Sequence, residues 1–235
     1  MTDGGSARPE TDELAAALWE ARRVARPVPG ELPWDTLSEE TAAGIGQALY
    51  RRVSDDPPRA WKMGAFDAET RGRLGLREPL LAAVLPDRLH TGADRVELRL
   101  ADFVAAKLEP EIGIRSGPSG TWFVPCVEVA DCRFAGWQPP PLAATADFGL
   151  QGAMVFGLPV PAPDSVHVHV RRDGEDVGSA SASWDEALGR LGCAPVPRGV
   201  DVHFATGGMT PLFPAVAGLW EFEFAGLGTL SLALY

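Results

Sequence analysis

Two acids two residues apart, Glu109 and Glu111 in AKLEPEIGIRSG (residues 106–117), are the first residues whose types and spacing suggest chemistry. In an extended strand, residues i and i+2 project from one face. The two carboxylates then lie side by side, near Ile112 and Ile114, and like charges that close repel. Either the pair sits on an exposed acidic strand face, or a divalent cation relieves the repulsion. Hard carboxylate oxygens suit Mg²⁺ or Mn²⁺. A third acid would have to come from another strand. PCVEVADCRF (125–134) offers Glu128 between Val127 and Val129, with Asp131 three residues on.

These acids need elements to hold them. TDELAAALWEARRVARP reads as a helix, with Thr11 as its cap and Pro27 and Pro29 as its stop. A second helix starts at Ser38, and Ala42, Ile45, Leu49 and Val53 form one apolar stripe. Glu39 and Glu40 stand in its first turn and Arg51 and Arg52 in its last, as the helix dipole favours. From about residue 60 short runs rich in Val, Leu and Phe alternate with Gly, Pro and Asp, which reads as strands. Asp173-Gly174 marks a hairpin turn, and the C-terminal FEFAGLGTLSLAL a closing hairpin through Gly226 and Gly228. SWDEALGRLG reads as one short helix. The expectation is an α+β chain: a helical extension over residues 1–58, with 1–9 disordered, and a mostly β body of mixed sheets over 59–235.

The net charge of −11 excludes a nucleic-acid binder or an anionic membrane surface as partner, because both need clustered Lys and Arg. The three cysteines, Cys126, Cys132 and Cys193, are odd in number and none has C-x-x-C spacing. That fits reduced thiols in the cytoplasm. The start, MTDGGSARPETDE, has no apolar core of a signal peptide, and no apolar run approaches the ~20 residues of a membrane helix.

Taken in order, four segments resemble the 2-keto-4-pentenoate hydratase and 4-oxalocrotonate decarboxylase branch of the fumarylacetoacetate hydrolase superfamily. AWKMGAF resembles its G-W-K-I-G motif, LEPEIGI its E-x-E-I-x-F, and CVEVADCRF its L-E-I-V-D-S-R-F. FATGGMTPLFPAVAGLWEFEFAGLGTLSL is similar to its Gly-rich C-terminal pattern. By position the resemblance implies Mg²⁺ or Mn²⁺ on Glu109, Glu111 and Glu128, with Lys62 as substrate anchor or proton carrier. It implies a lyase of hydratase or decarboxylase type, which acts on a 2-oxo acid through its enolate. It also implies a homo-oligomer. Trp61 beside Lys62 would wall the pocket or join the core. Asp131 and Arg133 would orient the third ligand or form a surface ion pair. Thr206, Gly207 and Gly208 in ATGGMTP would offer N–H groups to a substrate carboxylate or make a plain tight turn.

The chain departs from the pattern in four places. Leu80 stands where the branch has an acid, and Gly208 where it often has serine. The segment between Glu111 and Glu128 is shorter, and the W-L-A-N segment has no counterpart. Two alternatives follow: a different enol-dependent step (isomerisation, cyclisation or hydrolysis) in secondary metabolism, or a non-catalytic subunit that stabilises a partner. The H-x-H of His167 and His169 reads as solvent-facing strand polars or a metal pair. His90 reads as a loop residue and His203 as a strand-surface or site-flanking one.

Overall fold

The computed structural model describes residues 8–118, 120–161, 165–182, 189–190 and 200–235. Helix α1 (Arg8–Val24) begins earlier than Thr11, so Arg8 and Pro9 are helical rather than disordered; the rest of that expectation, residues 1–7, lies outside the described residues. Pro9 is tolerated because the first N–H groups of a helix have no acceptor. Helix α2 (Glu39–Arg51) starts as its sequence predicts: the Ser38 hydroxyl accepts from the Thr41 N–H at 3.0 Å. Its stripe of Ala42, Ile45 and Leu49 is fully buried against Leu14 and Leu18 of α1, Trp34, Phe134 and Phe148.

Strands β1 (Ala60–Gly64) and β2 (Leu80–Ala83) flank a helix the sequence reading missed, α3 (Ala68–Leu74). Its signals are nonetheless present: the Asp67 carboxylate caps it through the Thr70 N–H at 2.7 Å, and Gly75 ends it in the left-handed region. Then come β3 (Leu89–Thr91), β4 (Arg95–Leu98), and the two longest strands, β5 (Ala106–Gly117) and β6 (Gly120–Asp131). A single-turn helix α4 (Ala143–Ala146) precedes β7 (Gln151–Phe156). β8 (Val166–Arg172) and β9 (Glu175–Ala182) turn at Asp173-Gly174, as predicted. β10 (Val202–Gly208), β11 (Phe213–Pro214), β12 (Gly218–Phe224) and β13 (Gly228–Leu234) complete the chain. The helix expected in SWDEALGRLG lies outside the described residues except for Gly189 and Arg190.

The strands form two sheets. One runs β2-β1-β10-β5-β6-β7-β3 with β11 added on β5; the other runs β4-β13-β12-β8-β9. Both are mixed: β1 with β10, β3 with β7 and β4 with β13 pair in parallel, and the remaining pairs are antiparallel. The α+β class with mixed sheets is therefore as expected. No helix among the described residues is long and apolar enough to cross a membrane.

Strand alternation decides where the acids go. Leu108, Ile112 and Ile114 of β5 and Val127 and Val129 of β6 enter the core between the sheets, with Phe222, Phe224, Leu230 and Leu232. Glu109, Glu111, Cys126 and Glu128 occupy the opposite face. The antiparallel register sets Glu109 across from Glu128, and Glu111 across from Cys126.

Candidate metal centre

One carboxylate oxygen each from Glu109, Glu111 and Glu128 lies within 4.8 Å of the other two. Among the described residues this is the one such group of His, Cys, Asp or Glu able to hold a metal ion. An octahedral Mg²⁺ at ~2.1 Å from its ligands places opposite oxygens ~4.2 Å apart. A small inward movement of the side chains therefore suffices. Glu111 and Glu128 are buried; Glu109 retains some exposure.

Glu111 carries the clearest fit. Its Oε2 accepts the Gly207 N–H at 2.7 Å, but its Oε1 is buried with no hydrogen-bond partner. A buried carboxylate oxygen without a partner is costly, and a cation supplies the missing one. Burial and the neighbouring carboxylates push Glu111 well above the usual carboxylate range. Burial, then the Glu128 charge, raise Glu109 to about 7, against a smaller opposing pull from Lys62.

Lys62, buried on β1, ion-pairs with Glu128 Oε1 and donates to the Gly149 carbonyl at 2.9 Å. An ammonium has three N–H donors, so one remains for the cavity that Lys62 lines. That cavity holds about 670 Å³, with Lys62, Glu109, Glu128, Leu80, Lys107 and Trp137 among its walls. Leu80 packs beside Lys62: a Cβ built at Gly149 would lie 2.9 Å from Leu80 Cδ2 and 3.3 Å from Lys62 Cε. The Lys107 ammonium rests 4.0 Å from the Trp137 ring centre, a cation–π contact.

The structure sorts the other predicted residues. Trp61 is one residue from Lys62, so it faces the other side of β1 and packs on the intersheet core, outside the cavity. Asp131 and Arg133 do not reach Glu128. Asp131 lies three residues along β6, on the opposite face; its Oδ1 accepts the Val104 and Ala105 N–H groups at 2.9 and 2.7 Å. Arg133 is buried and donates to Asp131, Asp147 and the Gln151 carbonyl. The Thr206 hydroxyl donates to the Ile112 carbonyl at 3.0 Å, and the Gly207 N–H serves Glu111 rather than facing the cavity. Gly208 lines the cavity against Glu109. His167 and His169 are separately engaged, by Ser181 and Asp176, on the outer face of the second sheet. His203 packs at a tilt against the Phe156 ring and does not border the cavity. Cys126 is buried, with its thiol pushed well up by burial and then by Glu111 and Glu128, so it is an inert neighbour.

Gly208 explains itself by contact. A Cβ there would stand 1.8 Å from Glu109 Oε1. The Gly208→Ala variant is expected to fold normally, to displace Glu109 and to bind Mn²⁺ at least about tenfold more weakly, read by calorimetric titration.

No family profile matches the sequence, and no curated protein sequence does either. Solved structures do. The chain matches 4-oxalocrotonate decarboxylase from Pseudomonas putida G7, complexed with magnesium and adipate, with a TM-score of 0.80 over 97% of this chain and 98% of that one, at 17% identity. It matches 2-keto-3-deoxy-D-arabinonate dehydratase, complexed with magnesium and 2,5-dioxopentanoate, with a TM-score of 0.54 over 94% and 88%, at 15% identity. Fumarylpyruvate hydrolase from Pseudomonas aeruginosa, in complex with Mn²⁺ and pyruvate, gives 0.51 over 77% and 92%, at 17% identity.

The chain shares the fold of these solved enzymes, as the resemblance to the fumarylacetoacetate hydrolase superfamily implied. Three residues at the candidate site escaped the sequence reading. Lys107 is two residues before Glu109 on the same strand face, and that spacing could have revealed it. Trp137 and Gly149 lie in turns, and Gly149 acts through its backbone carbonyl, which no side-chain motif records.

Proposed function

We propose that this chain is a divalent-metal-dependent enzyme, a lyase of hydratase or decarboxylase type, acting on a 2-oxo acid by way of its enolate. The convergence of Glu109, Glu111 and Glu128, with the partnerless Glu111 oxygen among them, carries this reading. These three glutamates would hold Mg²⁺ or Mn²⁺. When bound, the ion supplies a Lewis acid that favours negative charge on the oxygen of a 2-oxo acid. The structural relatives solved with magnesium, Mn²⁺, pyruvate and 2,5-dioxopentanoate support it.

The chain's own groups complete the work. Lys62 presents its remaining N–H to the substrate carboxylate, or moves a proton to and from the carbon next to the keto group. Its grip on Glu128 and on the Gly149 carbonyl fixes the direction of that N–H. Lys107, on the same strand face as Glu109, offers a second cation to the far end of an anionic substrate. Leu80 leaves the wall beside Lys62 apolar, which excludes water there and favours a carbon chain over a polar group. That apolar wall also supports a second reading, an enol-dependent isomerisation in which Lys62 alone moves the proton. We also assign the protein to the cytoplasm as a homo-oligomer.

Hydrogen–deuterium exchange at the methyl group of pyruvate, followed by proton NMR in D₂O, tests the common step. Exchange that needs both protein and Mg²⁺ or Mn²⁺ supports the proposal. No ion binding, and no exchange above the ion alone, overturns it. Ultraviolet monitoring of a dienol and 2-oxo-acid panel then separates lyase from isomerase.

A further inference from the structure

We infer that Arg22, on the N-terminal helix α1, is a positioning residue for Lys62. It acts through Asp147 and the turn that presents the Gly149 carbonyl. This inference rests on the enzymatic reading above for its kinetic consequence, but not for its geometry.

The turn is conformationally expensive. Phe148, Gly149 and Leu150 have φ of 51°, 67° and 62°, three successive residues in the left-handed region. Only the middle one is glycine. A side-chain-bearing residue pays about 1–2 kcal/mol there, so two of the three must be held by their surroundings. The backbone supplies part of the hold: Gly149 N–H to the Ala144 carbonyl at 2.7 Å, and Leu150 N–H to the Asp147 carbonyl at 2.9 Å. The Leu150 carbonyl accepts the Asp131 N–H at 2.7 Å. What this conformation achieves is to aim the Gly149 carbonyl at the Lys62 ammonium.

Asp147 is the anchor. It is fully buried, and two arginines claim its two oxygens separately. Arg22 donates to Oδ1 from Nε at 3.2 Å and from Nη2 at 3.0 Å, while Arg133 takes Oδ2. Arg22 also covers the Phe148 ring, 5.9 Å from its centre. A single helix residue thus grips Asp147 and Phe148, at the start of the strained segment. Arg22 reaches neither the cavity nor the three glutamates, so any effect it has on chemistry must travel through the turn.

Arg22→Met keeps the unbranched apolar stem and removes the grip. Only two residues of the chain are lysines, Lys62 and Lys107, and both line the cavity. Lys107 therefore serves as an internal reference in a reductive-methylation experiment read by peptide mass spectrometry. In the variant, Lys62 is expected to react several-fold faster relative to Lys107 than in the wild type. Manganese affinity should stay within about twofold, pyruvate exchange should fall about tenfold at saturation, and Arg22→Lys should restore part of both. In a Lys62→Met background the Arg22 change should cost no further exchange activity, as residues acting through one another do not add. A folded Arg22→Met protein with an unchanged Lys62-to-Lys107 ratio overturns the inference, and so does an exchange loss that persists undiminished without Lys62. If Arg22→Met does not fold, Arg22→Gln, which loses the charge and the paired donors to Asp147, decides instead: a raised labelling ratio supports the inference and an unchanged one overturns it. If the wild type neither binds Mn²⁺ nor exchanges pyruvate, the enzymatic reading falls, and the labelling ratio still decides whether Arg22 positions Lys62.

Discussion

Glu111→Gln will weaken Mn²⁺ binding by at least about a hundredfold, because it removes a charged ligand rather than one of its supports. The amide keeps the volume and can still accept the Gly207 N–H, so the fold persists. It loses the negative charge that makes Oε1 worth an ion's contact. The same substitution will stabilise the metal-free protein above neutral pH. Glu109 is raised from 4.5 to about 7, and Glu111 is raised in the same direction. A carboxyl whose folded pKa lies above its unfolded one contributes stability in full below about pH 4.5, and that contribution is lost as pH rises through the folded value. For Glu109 alone, this amounts to a loss on the order of 3 kcal/mol. In chelator, the melting temperature of the wild type should therefore fall between about pH 5 and 8, and Mn²⁺ should restore it most at the alkaline end. Glu111→Gln should show a shallower fall and little response to Mn²⁺. Thermal unfolding across pH, with and without ion, reads all of this.

Lys62→Met should lower pyruvate exchange by about a thousandfold, within the 10²–10⁴ span of general acid–base groups. It should leave Mn²⁺ binding intact or tighten it. The ammonium ion-pairs with Glu128, so it competes with a cation for the same oxygen and repels it. The two substitutions therefore separate cleanly: one loses the ion, the other keeps the ion and loses the reaction. NMR exchange rates and a Mn²⁺ titration on the same samples distinguish them.

The convergence of the three glutamates was legible because strand alternation is a rule of period two. Glu109 and Glu111 had to share a face, and the β5–β6 pairing carried Glu128 to them. The hairpin at Asp173-Gly174 and the cap at Ser38 were legible for the same kind of reason, as local signals with local consequences. Trp61 was ambiguous only until its neighbour Lys62 was assigned a face. Asp131 and Arg133 were noticed, but their partners were not. Asp147, 16 residues beyond Asp131 in a turn without regular spacing, decides where Arg133 points, and no periodicity reaches it. Helix α3 was missed because the surrounding texture of short apolar runs outweighed Asp67 and Gly75, signals present but brief. The Gly149 carbonyl was beyond reach altogether, since a main-chain atom has no letter in the sequence.

All three acids sit on one antiparallel ribbon, and their alignment depends on which residue of β5 faces which of β6. A slip of one position would turn the acids of one strand inward among Phe222 and Leu230 and expose its valines or isoleucines. Capture of a cation by these acids would therefore depend on correct strand alignment, and would reinforce it. Because the ribbon is local, little chain must be gathered to close it. An ion held by these acids would clamp this ribbon before the seven strands β7 to β13 have been made, and act as a template for the sheet built around it.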